Sequence, residues 1–446
     1  MERDVPARWR CQRAGFARNS PGTSSSTFKA ERSSDEEFET KILDTPHEPS
    51  ASAPGLHLPD RTQSMKISIA ATNPCHLYDL ARGLHAEQAL GRYYSGYPRW
   101  KLPDAGSLPL STHSLRTTVT YGLRRWFSER WRPSDRALFR WQDRAFDAWV
   151  SRKLMSCDFF HGLPGQCRAS FLSAQKLGIP TVLNHATGPV TDLVERVRGE
   201  YERVGLDPAG DSIFDEAYLA QQEEETAMAD YHCVGSTMVA EQLAASGIYR
   251  ERIWVVPYGV DSAVFPGTLL PDRGDQGDRD AEFRILFAGQ LCLRKGLRFL
   301  LDALESAGQP KWRLDLYGPA MAETAGDLER YQGDSELQLH GAVSQDRLAL
   351  AFRQAHLLVL PSLEEGFGLV VIQALACGLP CIVSDAVGAK DVIRHRENGS
   401  VVPAGDSEAL AAEILWWKEN GHPIAEERFE WQDSAQTLMG YSRLDS

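Results

Sequence analysis

The stretch Pro361-Ser-Leu-Glu-Glu-Gly-Phe-Gly-Leu-Val-Val-Ile-Gln-Ala-Leu-Ala-Cys-Gly-Leu-Pro-Cys-Ile-Val-Ser384 carries the strongest structural signal in the chain. It combines an acidic, glycine-broken loop, an apolar run with helical character and a short apolar run that is typical of a buried strand. Gly366 and Gly368 remove side chains where the backbone turns, so a ligand can approach free N–H groups there. The N-terminus of a helix favours anions such as phosphate, and the carboxylates of Glu364 and Glu365 can accept hydrogen bonds from hydroxyl groups. The stretch therefore predicts a site for a sugar that is carried on a diphosphate.

The same alternation of short apolar runs and helical patterns extends through most of the chain. It predicts strands at, among other places, Lys66–Ala71 and Arg284–Ala288, and a helix over Tyr78–Leu90. Strands that alternate with helices indicate βαβ units and a parallel sheet. The polar, glycine-rich stretch Asp272–Asp280 interrupts the alternation, which then restarts. We therefore expect an α/β protein with two doubly wound, Rossmann-like halves that face each other across a cleft.

Composition is that of an ordinary globular protein. The chain has 446 residues, 42% of them hydrophobic and 24% charged, and its net charge is −13. That acidic balance argues against a nucleic-acid partner bound through overall charge. The first residues do not resemble a secretory leader, no apolar run is long enough to span a bilayer, and the eight cysteines lack metal-binding spacing. We therefore expect a cytoplasmic protein with free thiols and no metal site.

Two loops together resemble a known family. The opening stretch is similar to the donor-site signature of retaining glycosyltransferases of the GT-B fold, family 4, also described as glycosyl transferases group 1. That signature is Glu-Gly-Phe-Gly and a helix with a second Glu eight positions after the first; here Glu365 takes the first place and Gln373 the second. The loop Gly289-Gln-Leu-Cys-Leu-Arg-Lys-Gly296 resembles the Gly-Arg and Lys-Gly pair of the family, with Lys295 at the Lys and Gln290 at the Arg.

The resemblance implies a GT-B glycosyltransferase that moves a hexosyl group from a UDP- or GDP-sugar, with retention of anomeric configuration. The implied acceptor is a glycan, a lipid-linked molecule or a small molecule, and neither a metal ion nor another cofactor is expected. The implied catalytic residues are Glu365, which orients the donor sugar, His185, near the reacting carbon, and Lys295, which neutralises the diphosphate together with Arg294. The implied donor-binding residues are Gly289, Gln290, Arg294, Lys295, Glu365, Gly366, Phe367, Gly368, Leu369 and Gln373.

Each assignment has a plainer alternative. Arg294 and Lys295 taken alone could be solvated loop residues, and Glu365 could be a charge that only favours the start of a helix. His185 ends the predicted strand Pro180–Asn184, so we expect its ring to point towards the cleft, although a histidine in an ordinary strand-end loop is equally consistent. Gln373 keeps a carbonyl acceptor for the ribose, but a half-buried polar residue is as good an interpretation.

The expected domain boundaries follow from these patterns and from the resemblance. They are a disordered N-terminal extension over 1–64, an N-terminal Rossmann-like acceptor domain over 65–262, a linker over 263–281, a C-terminal Rossmann-like nucleotide-sugar domain over 282–425, and a C-terminal helix over 426–446 that crosses back to the first domain. The stretch Val256–Asp261 resembles the family's crossover Pro-Asn-Gly-Val-Asp, with Tyr258 in place of Asn. Met65 could be an alternative translation start.

Residues 112–153 are rich in Arg and Trp, and two interpretations stay open. Leu138, Trp141, Phe146 and Trp149 approximate one face of a helix after Ser134. That face could be a basic amphipathic surface for an anionic membrane or a lipid-linked acceptor, which would make the protein peripheral on the inner face of the membrane. The more common arrangement is a helix that packs into the core and leaves a basic face in solvent.

Two further functions are consistent with the same architecture. A catalytically degenerate GT-B protein that only binds nucleotide would account for Gln290 and Gln373 in place of charged residues. A UDP-sugar 2-epimerase shares the two-domain cleft and would isomerise a donor without an acceptor, but the Glu-Gly-Phe-Gly loop argues against it.

Overall fold

A computed structural model describes residues 65–207, 214–266, 282–308, 312–331, 336–421, 424–425 and 427–444. The predicted disordered extension over 1–64 and most of the predicted linker over 263–281 lie outside these residues.

The N-terminal half is built on a seven-stranded parallel sheet. Its elements are β1 (Ile67–Ala71), α1 (His76–Ala86), β2 (Leu90–Ser95), β3 (Leu110–Thr112), α2 (Leu115–Trp126), α3 (Asp135–Lys153), β4 (Phe159–Gly162), α4 (Arg168–Lys176), β5 (Thr181–His185), α5 (Val190–Val204), α6 (Glu216–Met228), β6 (Tyr231–Val234), α7 (Thr237–Ala245) and β7 (Ile253–Val255). The strand order is β3-β2-β1-β4-β5-β6-β7. The order reverses between β1 and β4, which is where doubly wound sheets open a crevice for ligands.

The C-terminal half repeats this plan with a six-stranded parallel sheet. Its elements are β8 (Phe283–Ala288), α8 (Leu297–Ser306), β9 (Trp312–Tyr317), α9 (Ala325–Arg330), β10 (Glu336–Gly341), α10 (Gln345–Gln354), β11 (Leu357–Leu360), α11 (Leu369–Ala376), β12 (Cys381–Ser384), β13 (Gly399–Val402), α12 (Ser407–Asn420) and α13 (Trp431–Leu444). The strand order is β10-β9-β8-β11-β12-β13, so the reversal lies between β8 and β11. The predicted fold class, two Rossmann-like α/β halves, is confirmed.

Local sequence explains the central elements. Every residue of β11 and β12 is buried, as expected of strands that are covered by helices on both faces. Ser236 and Asp406 begin α7 and α12 by accepting hydrogen bonds from backbone N–H groups of the first turn, which satisfies donors that lack a helical partner.

One predicted element is wrong. The helix expected over Tyr78–Leu90 ends at Ala86, and Leu90–Ser95 instead forms β2, which pairs with β1. Gly91, a residue type that often ends helices, lies inside this strand, where a Cβ atom would come 2.9 Å from Ser68 Oγ. The strand carries two consecutive buried tyrosines, and aromatic residues favour strands.

Helix α3 packs partly into the core. Phe146 and Val150 are buried in one cluster with residues of the sheet, and Leu138 is buried as well, whereas Trp141 of the predicted apolar face is 41% exposed. At the end of the chain, α13 packs against α1 so closely that a Cβ atom on Gly83 would lie 2.4 Å from the carbonyl oxygen of Trp431. Among the described residues, no helix is long and apolar enough to cross a membrane.

Candidate functional site

The two loops singled out in the sequence meet at the carboxyl edge of the C-terminal sheet. One follows β8 and the other follows β11, and these strands are neighbours on either side of the reversal in strand order. Gly296 holds a left-handed conformation (φ +72°), and a Cβ atom there would lie 1.9 Å from the carbonyl oxygen of Pro361. Only glycine allows this contact, which places Lys295 beside the acidic loop.

Four charged side chains converge at this contact. Lys295 Nζ forms an ion pair with Glu365 Oε2. Arg294 Nη1 lies 3.3 Å from the same oxygen, donates a hydrogen bond of 2.7 Å to the carbonyl oxygen of Glu364, and lies 3.5 Å from Glu364 Oε2. The two cations that the sequence assigned to a diphosphate are therefore held by the carboxylate that it assigned to the sugar.

Burial makes the electrostatics of this cluster unusual. Burial, with the charge of Arg294, lowers the pKa of Lys295 to about 7, whereas the Glu365 carboxylate in contact favours the charged form. Burial raises the pKa of Glu364, against the effect of Arg294 and of the Gly188 backbone amide. Within the described part of the chain, Glu364 Oε1 nevertheless accepts no hydrogen bond of normal geometry. Ionic contacts in such an enclosed place are strong, and removing one partner leaves a buried charge.

The remaining predicted donor residues occupy different environments. Gly289, at φ +149°, leaves open space beside Lys295, and Gln290 is exposed with its amide nitrogen 2.9 Å from Met321 Sδ. Gln373 is half-buried on α11, and its side chain forms no hydrogen bond with the residues that the structure describes. The two backbone positions, Gly368 (φ +92°) and Leu369, form the first turn of α11.

Phe367 belongs to the junction between the halves. It is buried, and its ring centroid lies 4.8 Å from that of Tyr258. Tyr258 in turn stacks on His76 at 4.5 Å and on Trp431 at 5.9 Å. Tyr258, which stands in place of Asn in the crossover stretch, thus joins the start of α1, the acidic loop and the start of α13 through aromatic contacts.

The acidic loop also contacts the N-terminal half through its backbone. A Cβ atom on Gly366 would lie 2.1 Å from the carbonyl oxygen of Ala186, directly after β5. Ser236 Oγ donates a hydrogen bond of 2.7 Å to the carbonyl oxygen of Gly366. The Thr237 backbone N–H and hydroxyl donate to Asp391 at 2.7 and 2.8 Å. The halves are therefore in contact directly beside the charged cluster, a set of contacts that sequence patterns did not reveal.

His185 lies at the end of β5, as expected, but its ring is enclosed. It is 6% exposed, and its Nε2 lies 2.9 Å from Nδ1 of His232 on β6. Burial, together with the charge that His232 would carry, lowers the pKa of His185, so the pair is neutral at physiological pH. The structure does not bring the ring into contact with the charged cluster, and the predicted catalytic role of His185 stays a prediction.

A helix absent from the sequence interpretation completes the site. Leu193, Val197 and Tyr201 of α5 pack with Leu293 of the loop after β8. The spacing of these residues at four positions is a helical signal that could have located α5. Arg196 on the same helix acts on Glu364 by its charge, so the N-terminal half adds a cation beside the cluster. Within the described ranges, no group of His, Cys, Asp or Glu side chains is placed to hold a metal ion.

Comparison with known proteins places these features in context. Residues 282–420 match the family model Glycosyl transferases group 1. D-inositol 3-phosphate glycosyltransferase of Pseudarthrobacter chlorophenolicus is 33% identical over 177 residues, which is 37% of this chain and 42% of the relative. The protein of that name from Xylanimonas cellulosilytica is 29% identical over 299 residues, 62% of this chain and 69% of the relative. The chain thus spans less than half of the first of these relatives.

Solved structures resemble nearly the whole fold. Anabaena HepE in complex with UDP and glucose superposes with a TM-score of 0.55 at 16% identity, over 85% of this chain and 95% of that one. Sucrose-phosphate synthase of Thermosynechococcus elongatus gives a TM-score of 0.54 at 19% identity, over 84% and 94%. The chain has the GT-B fold of two Rossmann-like α/β halves, and its C-terminal half matches the group 1 glycosyl transferases.

Proposed function

We propose that this protein is a retaining glycosyltransferase of family 4 that moves a hexosyl group from a UDP- or GDP-sugar to an acceptor bound by the N-terminal half. The observation that carries the proposal is the convergence of Arg294 and Lys295 with Glu365 at the carboxyl ends of β8 and β11. The neighbour HepE has been solved with UDP-glucose, which supports a nucleotide-sugar donor here.

The reaction we propose uses the cluster in two ways. Cleavage of the sugar–phosphate bond builds negative charge on the diphosphate, and the fixed cations Arg294 and Lys295 stabilise that charge in an enclosed site. Glu365, once released from Lys295, accepts hydrogen bonds from donor-sugar hydroxyls and orients the ring. The acceptor hydroxyl attacks from the face that the phosphate leaves, and the leaving phosphate takes its proton. We propose that no metal ion takes part.

Contact between the halves has a role in this scheme. The junction at Gly366 and Ala186 encloses the cluster from the N-terminal side. Exclusion of water limits hydrolysis of the donor and strengthens the ionic contacts. The glycan, lipid-linked or small-molecule acceptor would bind at the carboxyl edge of the N-terminal sheet.

A nucleotide-binding protein without transferase activity is the second candidate. It is favoured by Gln290, which contacts Met321 instead of the cluster, and by Gln373, which offers a neutral group in place of a carboxylate. Neutral hydrogen bonds are about half as strong as charge-assisted ones. This candidate predicts UDP or GDP binding without turnover of any sugar nucleotide.

The test measures UDP, GDP and sugar-nucleotide binding by calorimetry, and slow release of the nucleoside diphosphate from each donor. Lys295→Met is expected to weaken UDP binding by roughly 10- to 100-fold, since hydrogen bonds to charged groups contribute about 1.5–3 kcal/mol. Glu365→Ala is expected to retain UDP binding, because Lys295 is freed, but to lose donor hydrolysis. The exposed substitutions Lys176→Met on α4 and Glu408→Gln on α12 serve as matched charge controls.

The outcomes separate the candidates. Hydrolysis of a UDP- or GDP-sugar with the same anomer released, seen by NMR, supports the retaining transferase. Binding without any turnover supports the degenerate protein, and conversion of UDP-sugar to its 2-epimer supports the epimerase. If the wild type bound no nucleotide, or Glu365→Ala hydrolysed donor as well as wild type, the site assignment would be wrong.

A further inference from the structure

Helix α2 exposes the side chains that a soluble helix normally buries. Leu115 is 71% and Trp126 80% exposed, whereas Thr117 and Thr120 are buried. Leu115, Val119 and Trp126 follow each other at spacings of four and seven, so they lie on one face of the helix, opposite the buried threonines. The amphipathic pattern of α2 is therefore turned outwards.

Two tryptophans outside α2 are exposed as well. Trp100, in a short 3-10 helix after β2, is 78% exposed, and Trp131, just beyond α2, is 75% exposed. Trp100 and Trp126 line one open cavity of about 580 Å³ between the segment after β2 and α2, together with Tyr97 and Tyr121. We call the surface formed by Leu115, Val119 and Trp126 of α2, and by Trp100, which lines the same cavity as Trp126, the α2 surface. Several large apolar side chains exposed close together, bordered by polar groups, mark an interaction site.

The charge around the α2 surface is opposite to that of the whole chain. Between residues 97 and 132 the sequence has seven Lys and Arg residues and two Asp and Glu residues, although the chain carries a net charge of −13. Lys101 and Arg125 line the same cavity as the tryptophans. Arg130 lies over the Trp131 ring, 5.6 Å from its centroid. Cations thus border the exposed rings on several sides.

We propose that the α2 surface docks onto an anionic lipid membrane. Tryptophan rings settle at the level of lipid headgroups, and adjacent Lys and Arg side chains are attracted to anionic headgroups. Charge complementarity between the surrounding Lys and Arg side chains and anionic headgroups therefore favours this occupant. A second copy of the chain, with its net charge of −13, would also offer negative charge, but it would need hollows on its own surface to accept the indole rings of Trp100 and Trp126.

The position of the α2 surface connects it with the acceptor. The segment after β2 and the start of α2 after β3 both leave the carboxyl edge of the N-terminal sheet, and Tyr121 Oη lies 3.4 Å from Asn73 Oδ1 just after β1. Docking would bring that edge to the headgroup layer, where an acceptor anchored in lipid could enter. This last step rests on the proposed function, whereas docking itself does not.

The test uses the full-length chain and sedimentation with vesicles of phosphatidylcholine alone or with 30% phosphatidylglycerol. We expect binding to the anionic vesicles only, and loss of most of it in 0.5 M NaCl. Trp100→Ser with Trp126→Ser is expected to weaken binding at least tenfold, and Arg125→Glu with Lys101→Glu to a similar extent. Tyr249→Ser with Leu177→Ser, which changes exposed side chains elsewhere on the same half, should bind like wild type.

Several results would overturn the proposal. They are absence of binding to anionic vesicles at low salt, equal binding to neutral vesicles, and an unchanged affinity of both double variants. Conversion of a wild-type dimer to a monomer by the tryptophan variant, without any vesicle binding, would assign the α2 surface to a second copy instead. Glu365→Ala should bind vesicles like wild type, so failure of the donor site and failure of docking are distinguishable.

Discussion

Gly366→Ala tests whether the junction between the halves is as tight as the structure shows. The new Cβ atom would lie 2.1 Å from the carbonyl oxygen of Ala186 and 2.8 Å from Thr187 Cα. Ordinary contacts require at least about 3.4 Å, so one side must move by about 1.3 Å. The substitution removes no charged or polar group from the donor site.

The displacement should reach the hydrogen bonds that join the halves. The acidic loop is bonded to residues 388–389, because Gly388 N–H donates to Glu365 O at 2.9 Å and Ala389 N–H to Phe367 O at 2.7 Å. This loop and the Asp391 segment therefore move together. A shift of about 1.3 Å takes the Thr237 N–H, now 2.7 Å from Asp391 Oδ2, beyond hydrogen-bond range.

The expected increase in amide exchange at Thr237 follows from the loss of its hydrogen bond to Asp391. A hydrogen bond to a charged acceptor contributes about 1.5–3 kcal/mol, which corresponds to roughly 10- to 100-fold faster amide exchange at Thr237. Hydrogen-exchange mass spectrometry of the peptide that begins α7 measures it. UDP binding should change little, while any donor turnover should fall about 100-fold, because a misplacement near 1 Å has that effect on catalysis.

Gly326→Ala is the matched control, since a Cβ atom there would meet nothing within 4 Å. The reasoning is refuted if Gly366→Ala folds normally and exchange at Thr237 stays within threefold of wild type. Faster exchange throughout the chain would instead show that the substitution destabilises the fold, and the control would then set the baseline.

Two other predictions follow from single residues. Gln373→Glu places a carboxylate on α11 and should tighten UDP binding several-fold, as measured by calorimetry, because charge-assisted hydrogen bonds are about twice as strong as neutral ones. The exposed substitution Gln354→Glu is the control and should leave the affinity for UDP unchanged. Equal effects of the two substitutions would contradict a contact between Gln373 and the ribose. His161 is buried, and burial lowers its pKa to about 4, so the unfolded chain takes up a proton below about pH 6.5 and stability is lost as pH falls from there towards 4. Urea unfolding measures the free energy of unfolding of His161→Gln and of wild type at pH 7 and at pH 5. The difference between the two proteins should be smaller at pH 5 by about 2 kcal/mol, because only wild type loses stability through this histidine. A difference that does not change with pH would show that the histidine is not buried in its neutral form.

Some parts of the molecule were predictable because one local rule decides them. The run of buried residues in β11 and the helix that begins at Leu369 follow from apolar periodicity and from the glycines before them. The convergence of Lys295 with Glu365 follows from topology, since loops after adjacent parallel strands meet at one edge.

Other parts depend on contacts that no local pattern reports. The sequence does not indicate strand β2, because a glycine such as Gly91 at this place is typical of the end of a helix. In the structure, Gly91 is required because the strand approaches Ser68 too closely for a side chain. The role of Phe367 at the junction depends on Tyr258, which lies more than a hundred positions away in the chain. The sequence also does not indicate that the apolar face of α2 is exposed, since the same periodicity is expected of a helix that buries its apolar face.

The pairing of Lys295 with Glu365 has a consequence for which molecules bind at this site. A simple anion such as inorganic phosphate could draw the ammonium group away, but it would leave a carboxylate that is only 17% exposed without a counter-charge. A sugar diphosphate supplies the replacement for both partners at once, its phosphates for Lys295 and its hydroxyls for Glu365. The ion pair should therefore make the intact donor bind more tightly than UDP or the free sugar, each of which replaces only one partner of the pair.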